Sequence, residues 1–469
     1  MRSRLLLAAA TLAAFGASLG SGFHFDDYAI FDHPSLGKLL TLRETRPLTY
    51  LTFWLNDALG GRNPVGYHAV NLALHMGAVL LAYACLRRLL PERVALAAAA
   101  IFALHPIQAE AVDYVWARSI VLATLLCLAS LRDWLDGRRG RAVGWFAAAL
   151  LAKEEVAAFP LLLWWLPRGK GKPRRLPQIA GMLALSLAAG LRTIYATAVT
   201  PGAPAGLQAG ISPGSYLLAQ GPVILRYLRL MVVPYGFTVD PDIPVPALWL
   251  GLAAWAAVAA LAVLAWRYAR WAIAGLILLI PSSTIFPAAD LAADRRMYFP
   301  LLWFAAAAAI WLVRVRLDRA AAVALAILSI FRTGVWMSDR SLWGEAVARA
   351  PHKIRPKIQL ARALPPADGL KLLAQARTEA PQDPALAAET GRILLAAGEA
   401  DAALAEFGRA LALAPRDARY LNDRGVALAA MGQRDAARAD FERALAIDPA
   451  LDEARENLGK LGARTSGAP

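Results

Sequence analysis

Long apolar runs, separated by short polar or basic segments, recur from residue 5 to about residue 330 and then stop. Runs of this kind predict membrane-spanning helices, and the more polar remainder predicts a soluble tail. We count eleven runs, several of which are shorter than the roughly 20 residues that a full span needs. The runs are Leu5–Gly20, 67–86, 94–105, 119–135, 142–152, 155–166, 177–198, 247–266, 271–286, 299–313 and 319–332.

The first apolar run follows the basic segment Met1–Arg4 and has two interpretations. We predict an uncleaved signal anchor that enters the membrane from the cytoplasm. The alternative is a cleaved signal peptide, because small residues follow the run. The polar stretch that continues to Gly66 contains a weakly amphipathic segment from about Leu36 to Leu59, which we predict to lie in the membrane interface.

Composition supports a membrane protein. Of the 469 residues, 58% are hydrophobic and 18% are charged, and the mean hydropathy is +0.44. A soluble chain is about 45–50% apolar and about 25% charged, so these values exclude an ordinary soluble enzyme. The net charge of +15 does not indicate nucleic acid, because the tail after residue 380 carries 11 Lys and Arg against 14 Asp and Glu.

The positive excess lies largely in the short loops between apolar runs, and these loops predict the orientation. If eleven spans are counted from a cytoplasmic N-terminus, all five basic loops fall on the cytoplasmic side, as the positive-inside rule requires. We therefore predict a multi-pass protein of the inner (cytoplasmic) membrane with a periplasmic tail. The five loops are 87–93, 136–141, 167–175, 266–270 and 313–319.

The tail repeats with a period of 34 residues. Gly391 aligns with Gly425 and Phe407 with Phe441, and an earlier degenerate copy places Leu373 in the same phase as the two phenylalanines. This pattern predicts tetratricopeptide (TPR) repeats, helix pairs that stack into a solenoid with a concave peptide-binding groove. The alternative is a generic Ala-rich helical bundle. The predicted fold class is thus all-α, a polytopic membrane helical bundle followed by a TPR α-solenoid.

These patterns divide the chain into four predicted segments. The transmembrane domain covers residues 1–332, and a connector with a degenerate helical repeat covers residues 333–380. The TPR repeats follow at 381–461. The final segment, 462–469, is predicted to be a disordered tail.

Charged residues near the ends of apolar runs are the candidates for chemistry, because charge within a membrane is costly and is usually retained for a use. Asp26 and Asp27 follow the first run. Adjacent residues do not share a face, so only one of them is expected to face a substrate. A carboxylate within hydrogen-bond reach of a hydroxyl can act as a general base. The alternative is a solvated turn or a helix cap.

Two further clusters lie between later apolar runs. His105, Glu110 and Arg118 belong to the first, where the spacing does not suit zinc and where His105, before a proline, has the position of a structural helix-end residue. Lys153 and Glu154 belong to the second. A lysine at the membrane surface can bind a phosphate, with a carboxylate holding it in place; an interfacial salt bridge is the alternative.

The last candidates lie late in the membrane part. Arg295 and Arg296 precede Tyr298 on the predicted outer side, where basic residues run against the positive-inside trend and an arginine fork suits a phosphate. Asp240 is a weaker candidate. The sequence contains no P-loop, Rossmann glycine pattern, CxxC or HExxH motif. We therefore predict no nucleotide, no nucleic-acid partner and no cofactor, with a divalent metal left as an alternative.

In this order, the clusters resemble those of the TMTC-type protein O-mannosyltransferases, membrane glycosyltransferases of the GT-C fold that carry TPR repeats. The resemblance covers essentially the whole chain. It rests on FDD (25–27), RPLTYLTFWLN (46–56), GYHAVNLALH (66–75), HPIQAEAVDYVWARS (105–119), AKEE (152–155), PYGFTVD (234–240), DRRMYFP (294–300) and DRSLWGEAVARAP (339–351).

The resemblance implies a mechanism. Such enzymes use a polyprenyl-phosphate sugar and an acceptor on the outer side of the membrane, and their acidic motif follows the first span. It implies that Asp26 is the base for an acceptor hydroxyl and that Asp27 assists it, with inversion at the sugar carbon. Cations would stabilise the phosphate that leaves. Candidates for that role are Arg295, Arg296 and Lys153, with Arg118 in second place; supporting positions are Glu110, Glu154, Asp240, His105 and Tyr298.

Three functions from different classes stay open at this point. The first is transfer of a sugar, with mannose as the expected one, to a protein that the TPR groove presents at the periplasmic face. The second is an enzyme of the same fold that glycosylates a lipid or a surface glycan. The third is a non-catalytic membrane scaffold that retains its TPR contacts. Membrane lipids are expected partners in all three.

Overall fold

The computed structural model describes residues 1–31, 44–167, 176–200 and 205–463. These residues are largely helical, and within them the only extended pairing is an isolated bridge between Ala205 and Ala288. The chain divides into two compact units, Met1–Leu342 and Trp343–Pro469. The all-α prediction is confirmed.

The first unit is built from apolar helices joined by short 3₁₀ segments. Its α-helices are α1 Arg2–Phe15, α2 Pro47–Gly60, α3 Pro64–Leu86, α4 Glu92–Leu104, α5 Ala109–Asp113, α6 Arg118–Leu135, α7 Arg139–Ala152, α8 Phe159–Trp165, α9 Leu176–Val199, α10 Pro213–Val232, α11 Leu248–Tyr268, α12 Arg270–Leu279, α13 Tyr298–Arg314 and α14 Asp318–Val335. The 3₁₀ segments are Gly16–Gly20, Phe25–Ile30, Pro106–Gln108, Val115–Ala117, Glu154–Ala158, Gly206–Gln208, Pro281–Ser283 and Asp294–Met297.

The predicted count of eleven spans is not confirmed. In the described part of the chain, six helical segments are long and apolar enough to cross a membrane, and two bent pairs raise the number to as many as eight. Helices α7, α8 and α12 contain 14, 7 and 10 residues. At 1.5 Å per residue even α7 is only about 21 Å long, short of the ~30 Å hydrocarbon core. The six segments are Arg2–Gly20, Pro64–Leu86, Val115–Leu135, Leu176–Val199, Leu248–Tyr268 and Asp294–Arg314.

One predicted loop is wrong. Since no apolar run lies between residues 198 and 247, the count of eleven spans makes residues 201–246 an outer loop, but this stretch contains the 20-residue helix α10. This helix packs closely on α11, since a Cβ added at Gly221 would lie 3.1 Å from Ala254. Arg226 and the internal Pro222 interrupt the apolar pattern of the segment, which is why a search for long apolar runs misses the helix.

Several helix ends of the first unit meet at one end of the bundle. Arg88, after α3, forms an ion pair with Asp136, after α6. Arg93, at the start of α4, lies 2.9 Å from Asp318, at the start of α14. We call this the basic end. Three of the predicted basic loops lie there: 87–93, 136–141 and 313–319.

The second unit is a stack of helix pairs. The matched glycines and phenylalanines of the 34-residue period pack on each other: a Cβ on Gly391 would lie 2.7 Å from the Phe407 ring, and one on Gly425 would lie 2.6 Å from the Phe441 ring. The TPR prediction is confirmed. The helices are α15 Asp339–Arg349, which crosses the boundary between units, then α16 Ile354–Ala363, α17 Pro366–Glu379, α18 Pro384–Ala396, α19 Ala400–Leu413, α20 Ala418–Ala430, α21 Arg434–Ile447 and α22 Asp452–Ala463.

The degenerate copy of the repeat also folds as a helix pair, α16 and α17. Leu373 and Ala376, which share the phase of Phe407 and Ala410, are fully buried. Gly369 allows the two helices to meet, because a Cβ there would lie 2.6 Å from the carbonyl oxygen of Ala361.

Parts of three predictions lie outside the described residues. These are the first part of the amphipathic segment, up to residue 43, the basic loop from residue 168, and the tail from residue 464. The described part of the amphipathic segment contains α2.

A glycine-to-alanine pair tests the packing of the repeats. In Gly425→Ala the new methyl group collides with Phe441, whereas a Cβ at Gly408, also within a tail helix, meets nothing within 4 Å. We expect Gly425→Ala to destabilise the tail by about 1–3 kcal/mol and Gly408→Ala to be neutral or stabilising. Limited proteolysis of the full chain in detergent measures the difference. Equal cleavage of the tail in the two variants would contradict the close contact between Gly425 and Phe441.

Candidate functional site

The two adjacent aspartates lie on a 3₁₀ segment, Phe25–Ile30, which we call the acidic turn. It lies just beyond the end of α1. Phe25 has φ of +48°, a left-handed conformation that is costly for a residue with a side chain. Strain of this kind persists where surrounding contacts fix the backbone, and such contacts surround both aspartates here.

Asp27 is fully buried and is held by backbone donors. Its Oδ1 accepts the N–H of Trp116 at 2.7 Å, and its Oδ2 accepts the N–H of His24 at 2.9 Å. Burial raises the pKa of Asp27 to about 7, although both donors act in the opposite direction. The carboxylate therefore joins the acidic turn to the start of α6 rather than facing solvent.

Asp26 is half-buried, and its carboxylate faces a tyrosine. The hydroxyl of Tyr114 donates to Asp26 Oδ2 at 2.9 Å. The Tyr114 ring in turn stacks on Trp336, with ring centroids 5.6 Å apart. Of the two aspartates, Asp26 is thus the more accessible, as expected for adjacent residues on different faces.

His24 connects the acidic turn to the end of the last membrane helix. Its Nδ1 lies 2.7 Å from Asp339 Oδ1, and its Nε2 lies 2.7 Å from the carbonyl oxygen of Trp336. Both partners are acceptors, so this geometry favours the imidazolium, which donates from both nitrogens. Burial alone would lower the pKa of His24, but the hydrogen bond and charge of Asp339 outweigh it and raise the pKa.

Arg295 forms an ion pair with the buried Glu110. The Arg295 guanidinium donates to Glu110 Oε1, and the backbone N–H of Arg295 donates to Oε2 at 3.3 Å. The arginine side chain retains 22% exposure, against 3% for the glutamate. Arg295 therefore keeps an accessible face beside a compensating charge.

The neighbouring residues of Arg295 are engaged differently. Asp294 pairs with Arg226 of α10 at 2.6 Å, so the helix that the sequence did not predict holds this segment in place. Arg296 donates to the carbonyl oxygens of Leu291 and Asp290, each at 2.9 Å. Arg296 thus closes the loop that precedes it.

Lys153 lies in the break between α7 and α8. It is buried, and its Nζ lies 3.4 Å from Glu155. Burial lowers the pKa of Lys153 to about 8, with Glu155 opposing the shift. Glu154 accepts a two-bond fork from Arg46, at 2.7 and 3.2 Å. Although burial acts the other way, the charge of Arg46 lowers the pKa of Glu154 to about 2.

Four predicted site residues occupy packing positions. Arg118 is fully buried and donates to Asn71 and Asn56, each at 2.7 Å. His105 accepts the N–H of Ile107 on Nδ1 and contacts a carbonyl through Nε2, as expected for a helix-end residue.

Tyr298 and Asp240 are also buried. The Tyr298 hydroxyl lies 2.7 Å from His75 Nδ1, within the aromatic core of the bundle. Asp240 has its N–H 3.4 Å from the hydroxyl of Thr238. The phosphate-binding role assigned to Arg118 stays a prediction, as do the supporting roles assigned to the other three residues.

The acidic turn and the cations form one electrostatic group. Tyr114 interacts electrostatically with Asp26, Asp27 and Arg295, and Lys153 interacts with Arg295 and Arg46. We call this group the polar site. Sequence reasoning missed several of its members: His24, Arg46, Tyr114, Arg226, Trp336 and Asp339. Arg46, Tyr114 and Asp339 lie within the quoted motifs, and His24 lies two positions before Asp26, but nothing local indicates which residues pair.

No cluster in the described ranges gathers three or more His, Cys, Asp or Glu side chains in a way that could hold a metal ion.

The fold and site define a multi-helix membrane protein with a TPR tail, and comparison with known proteins agrees. A family model described as tetratricopeptide repeat matches residues 418–451. A solved structure, described as the crystal structure of the APC/C hetero-tetramer Cut9-Hcn1, aligns with 92% of this chain and 89% of that chain. Its TM-score of 0.27 and identity of 12% carry no structural argument.

Among curated proteins, the relatives are protein O-mannosyl-transferases. TMTC1 of Homo sapiens is 37% identical over 26% of this chain and 17% of its own length. Tmtc1 of Drosophila melanogaster is 43% identical over 20% and 11%. The Caenorhabditis elegans protein O-mannosyl-transferase F38B6.6 is 30% identical over 28% and 22%. The predicted resemblance is confirmed over the 20–28% of this chain that these alignments cover, not over essentially the whole chain, and the chain spans less than a quarter of the length of these three relatives.

Two substitutions distinguish the structural roles of the two aspartates. Asp27→Asn leaves one of the two backbone N–H donors without an acceptor, at an expected cost of about 1–3 kcal/mol. Asp26→Asn keeps an acceptor for the Tyr114 hydroxyl, so we expect little loss. The thermal transition of each purified variant in detergent measures this difference. A transition lowered equally by both would contradict the separate roles.

Proposed function

We propose that this chain is a membrane glycosyltransferase that moves a sugar, most simply mannose, from a polyprenyl-phosphate donor to a protein hydroxyl. One observation carries the proposal: a half-buried carboxylate, Asp26, lies in one electrostatic group with the partly exposed Arg295 and the buried Lys153. The names of the relatives support the class of reaction. The reaction takes place on the extracytoplasmic face and inverts the sugar carbon.

Asp26 acts as the general base. Its carboxylate accepts the proton of the acceptor hydroxyl as that oxygen attacks the sugar carbon, and the bond from this carbon to the donor phosphate breaks. Tyr114 donates to Asp26 Oδ2 and orients the carboxylate towards the acceptor. Asp27 and His24 act as positioning residues, because both are buried and hold the backbone of the acidic turn.

The cations stabilise the phosphate that leaves. A phosphate needs no strong acid to depart, but the charge that develops on its oxygens is stabilised by fixed cations in a water-poor site. Arg295 has an exposed edge for this purpose, and Glu110 holds its side chain in place. Lys153 lies in electrostatic range of Arg295 and supplies a second positive charge.

The tail supports a protein acceptor. Its helix pairs have the architecture of a peptide-binding solenoid. The first unit ends at Leu342, and Trp336 and Asp339, shortly before that point, contact residues of the acidic turn or its partners. The first unit therefore ends close to the acidic turn.

Substitution of the proposed base tests the reaction. We expect Asp26→Asn to reduce transfer of radiolabelled mannose from polyprenyl-phosphate mannose to a Ser/Thr-rich peptide by about 10²–10⁴-fold. Release of the sugar to water should fall in parallel. Asp57→Asn, an exposed aspartate in α2, provides the matched control.

Unchanged turnover in Asp26→Asn would remove Asp26 from the mechanism. Complete inactivity of the folded wild type, with other polyprenyl-linked sugars also inert, would favour the scaffold function.

The pKa of Lys153 predicts a pH dependence. Burial lowers this pKa to about 8, so the ammonium that stabilises the phosphate is present below pH 8 and is lost as the pH rises through that value. We expect turnover to fall above pH 8 in the wild type. In Lys153→Arg the side chain stays charged, so the fall should move to higher pH. A pH profile from 6 to 10 measures both; an unshifted fall in the variant would contradict the role.

A further inference from the structure

A second polar cavity lies at the basic end, away from the acidic turn. It has a volume of about 530 Å³ and lies between α1, α3 and α6. Four arginines line it: Arg4, Arg87, Arg88 and Arg132. Arg4 lies in the first turn of α1, whereas the acidic turn follows the other end of that helix. About 20 intervening residues separate the two by roughly 30 Å, so the cavity is not part of the polar site.

The charge of this cavity is only partly compensated. Arg88 pairs with Asp136, and Arg87 lies 3.7 Å from Glu92. Arg4 and Arg132 are exposed, and no carboxylate of the described residues lies within ion-pair distance of either. The lining contains no acidic residue. Two guanidinium groups are therefore available to an anion, and a guanidinium binds a phosphate through two parallel hydrogen bonds.

The rest of the cavity is apolar and extends into the bundle. Leu80 and Gly77 line it on α3, below Arg87. Ten residues of helix separate Gly77 from Arg87, a distance of about 15 Å along the axis. The arginines thus form a charged rim above an apolar wall. A free anion would contact only the arginines of the rim, and a nucleic acid would not cover the apolar wall.

We propose that this cavity binds an anionic phospholipid, with its phosphate between Arg4 and Arg132 and an acyl chain along α3 towards Gly77. Basic pockets between membrane helices bind acidic headgroups. A bound acyl chain also covers the apolar wall, whose contact with water would be unfavourable. The site is independent of the glycosyltransferase proposal, because it shares no residue with the polar site.

Native mass spectrometry of the full chain, released from detergent, tests the site. The probes are phosphatidylglycerol and phosphatidylcholine with identical acyl chains. We expect a retained phosphatidylglycerol adduct in the wild type and a loss of about tenfold or more in Arg4→Gln/Arg132→Gln. The control Arg314→Gln/Arg319→Gln removes the same charge from exposed arginines outside the cavity and should leave the adduct unchanged.

The variant Gly77→Leu distinguishes binding of a lipid from binding of a simple anion. A Cβ at Gly77 lies 3.5 Å from Leu125, an ordinary contact, and Gly77 lines the cavity, so we expect the leucine side chain to occupy part of its apolar volume. We expect this variant to lose the adduct although all four arginines remain. Size-exclusion profiles and thermal transitions verify that each variant is folded.

Three results would overturn the proposal. One is equal retention of phosphatidylcholine and phosphatidylglycerol. The second is equal loss in both arginine pairs, which would assign the adduct to general surface charge. The third is an unchanged adduct in Gly77→Leu together with displacement by glycerol phosphate, which would indicate a free phosphate ligand.

Discussion

A helix that breaks within an apolar bundle leaves charged and backbone groups that must find partners inside the protein, and the first unit depends on how it meets this constraint. Helical structure is interrupted after α1, around α5 and between α7 and α8. Several of the polar groups at these interruptions pair: Arg295 with Glu110, Arg46 with Glu154, and Asp27 with two backbone donors. Since an unpaired buried charge is costly, these pairs fix the positions of the segments that carry them.

The same constraint gives the residues of the polar site two different structural settings. Residues whose hydrogen bonds are complete, such as Asp27 and Arg118, hold segments together. Other residues, such as Asp26 and Arg295, stay partly exposed to solvent. A charge needs both a rigid setting and an open face to act on a substrate, and the buried residues provide the setting. The 3₁₀ geometry of the acidic turn and the strained backbone of Phe25 belong to this setting.

The features that the sequence predicted correctly are those with a local or periodic signal. The 34-residue period locates the helix pairs of the tail, because the glycine and phenylalanine that pack on each other recur in both clear copies, while the degenerate copy keeps the phase with Leu373. The charged clusters stand out against apolar neighbours. The pairing of His24 with Asp339 spans 315 residues and has no local pattern. Helix α10 was missed for a related reason: Arg226 looks like a loop residue until Asp294, 68 positions later, neutralises it.

The contact between His24 and Asp339 also has a consequence for biosynthesis. His24 leaves the ribosome 312 and 315 residues before its partners Trp336 and Asp339, which emerge only after α14. Until then the imidazole lacks both acceptors and the Tyr114 ring lacks the indole that it stacks on. The polar site is therefore completed last, when the final membrane helix docks on α1. A nascent or truncated chain that lacks this helix has the two aspartates but not the geometry that aligns them.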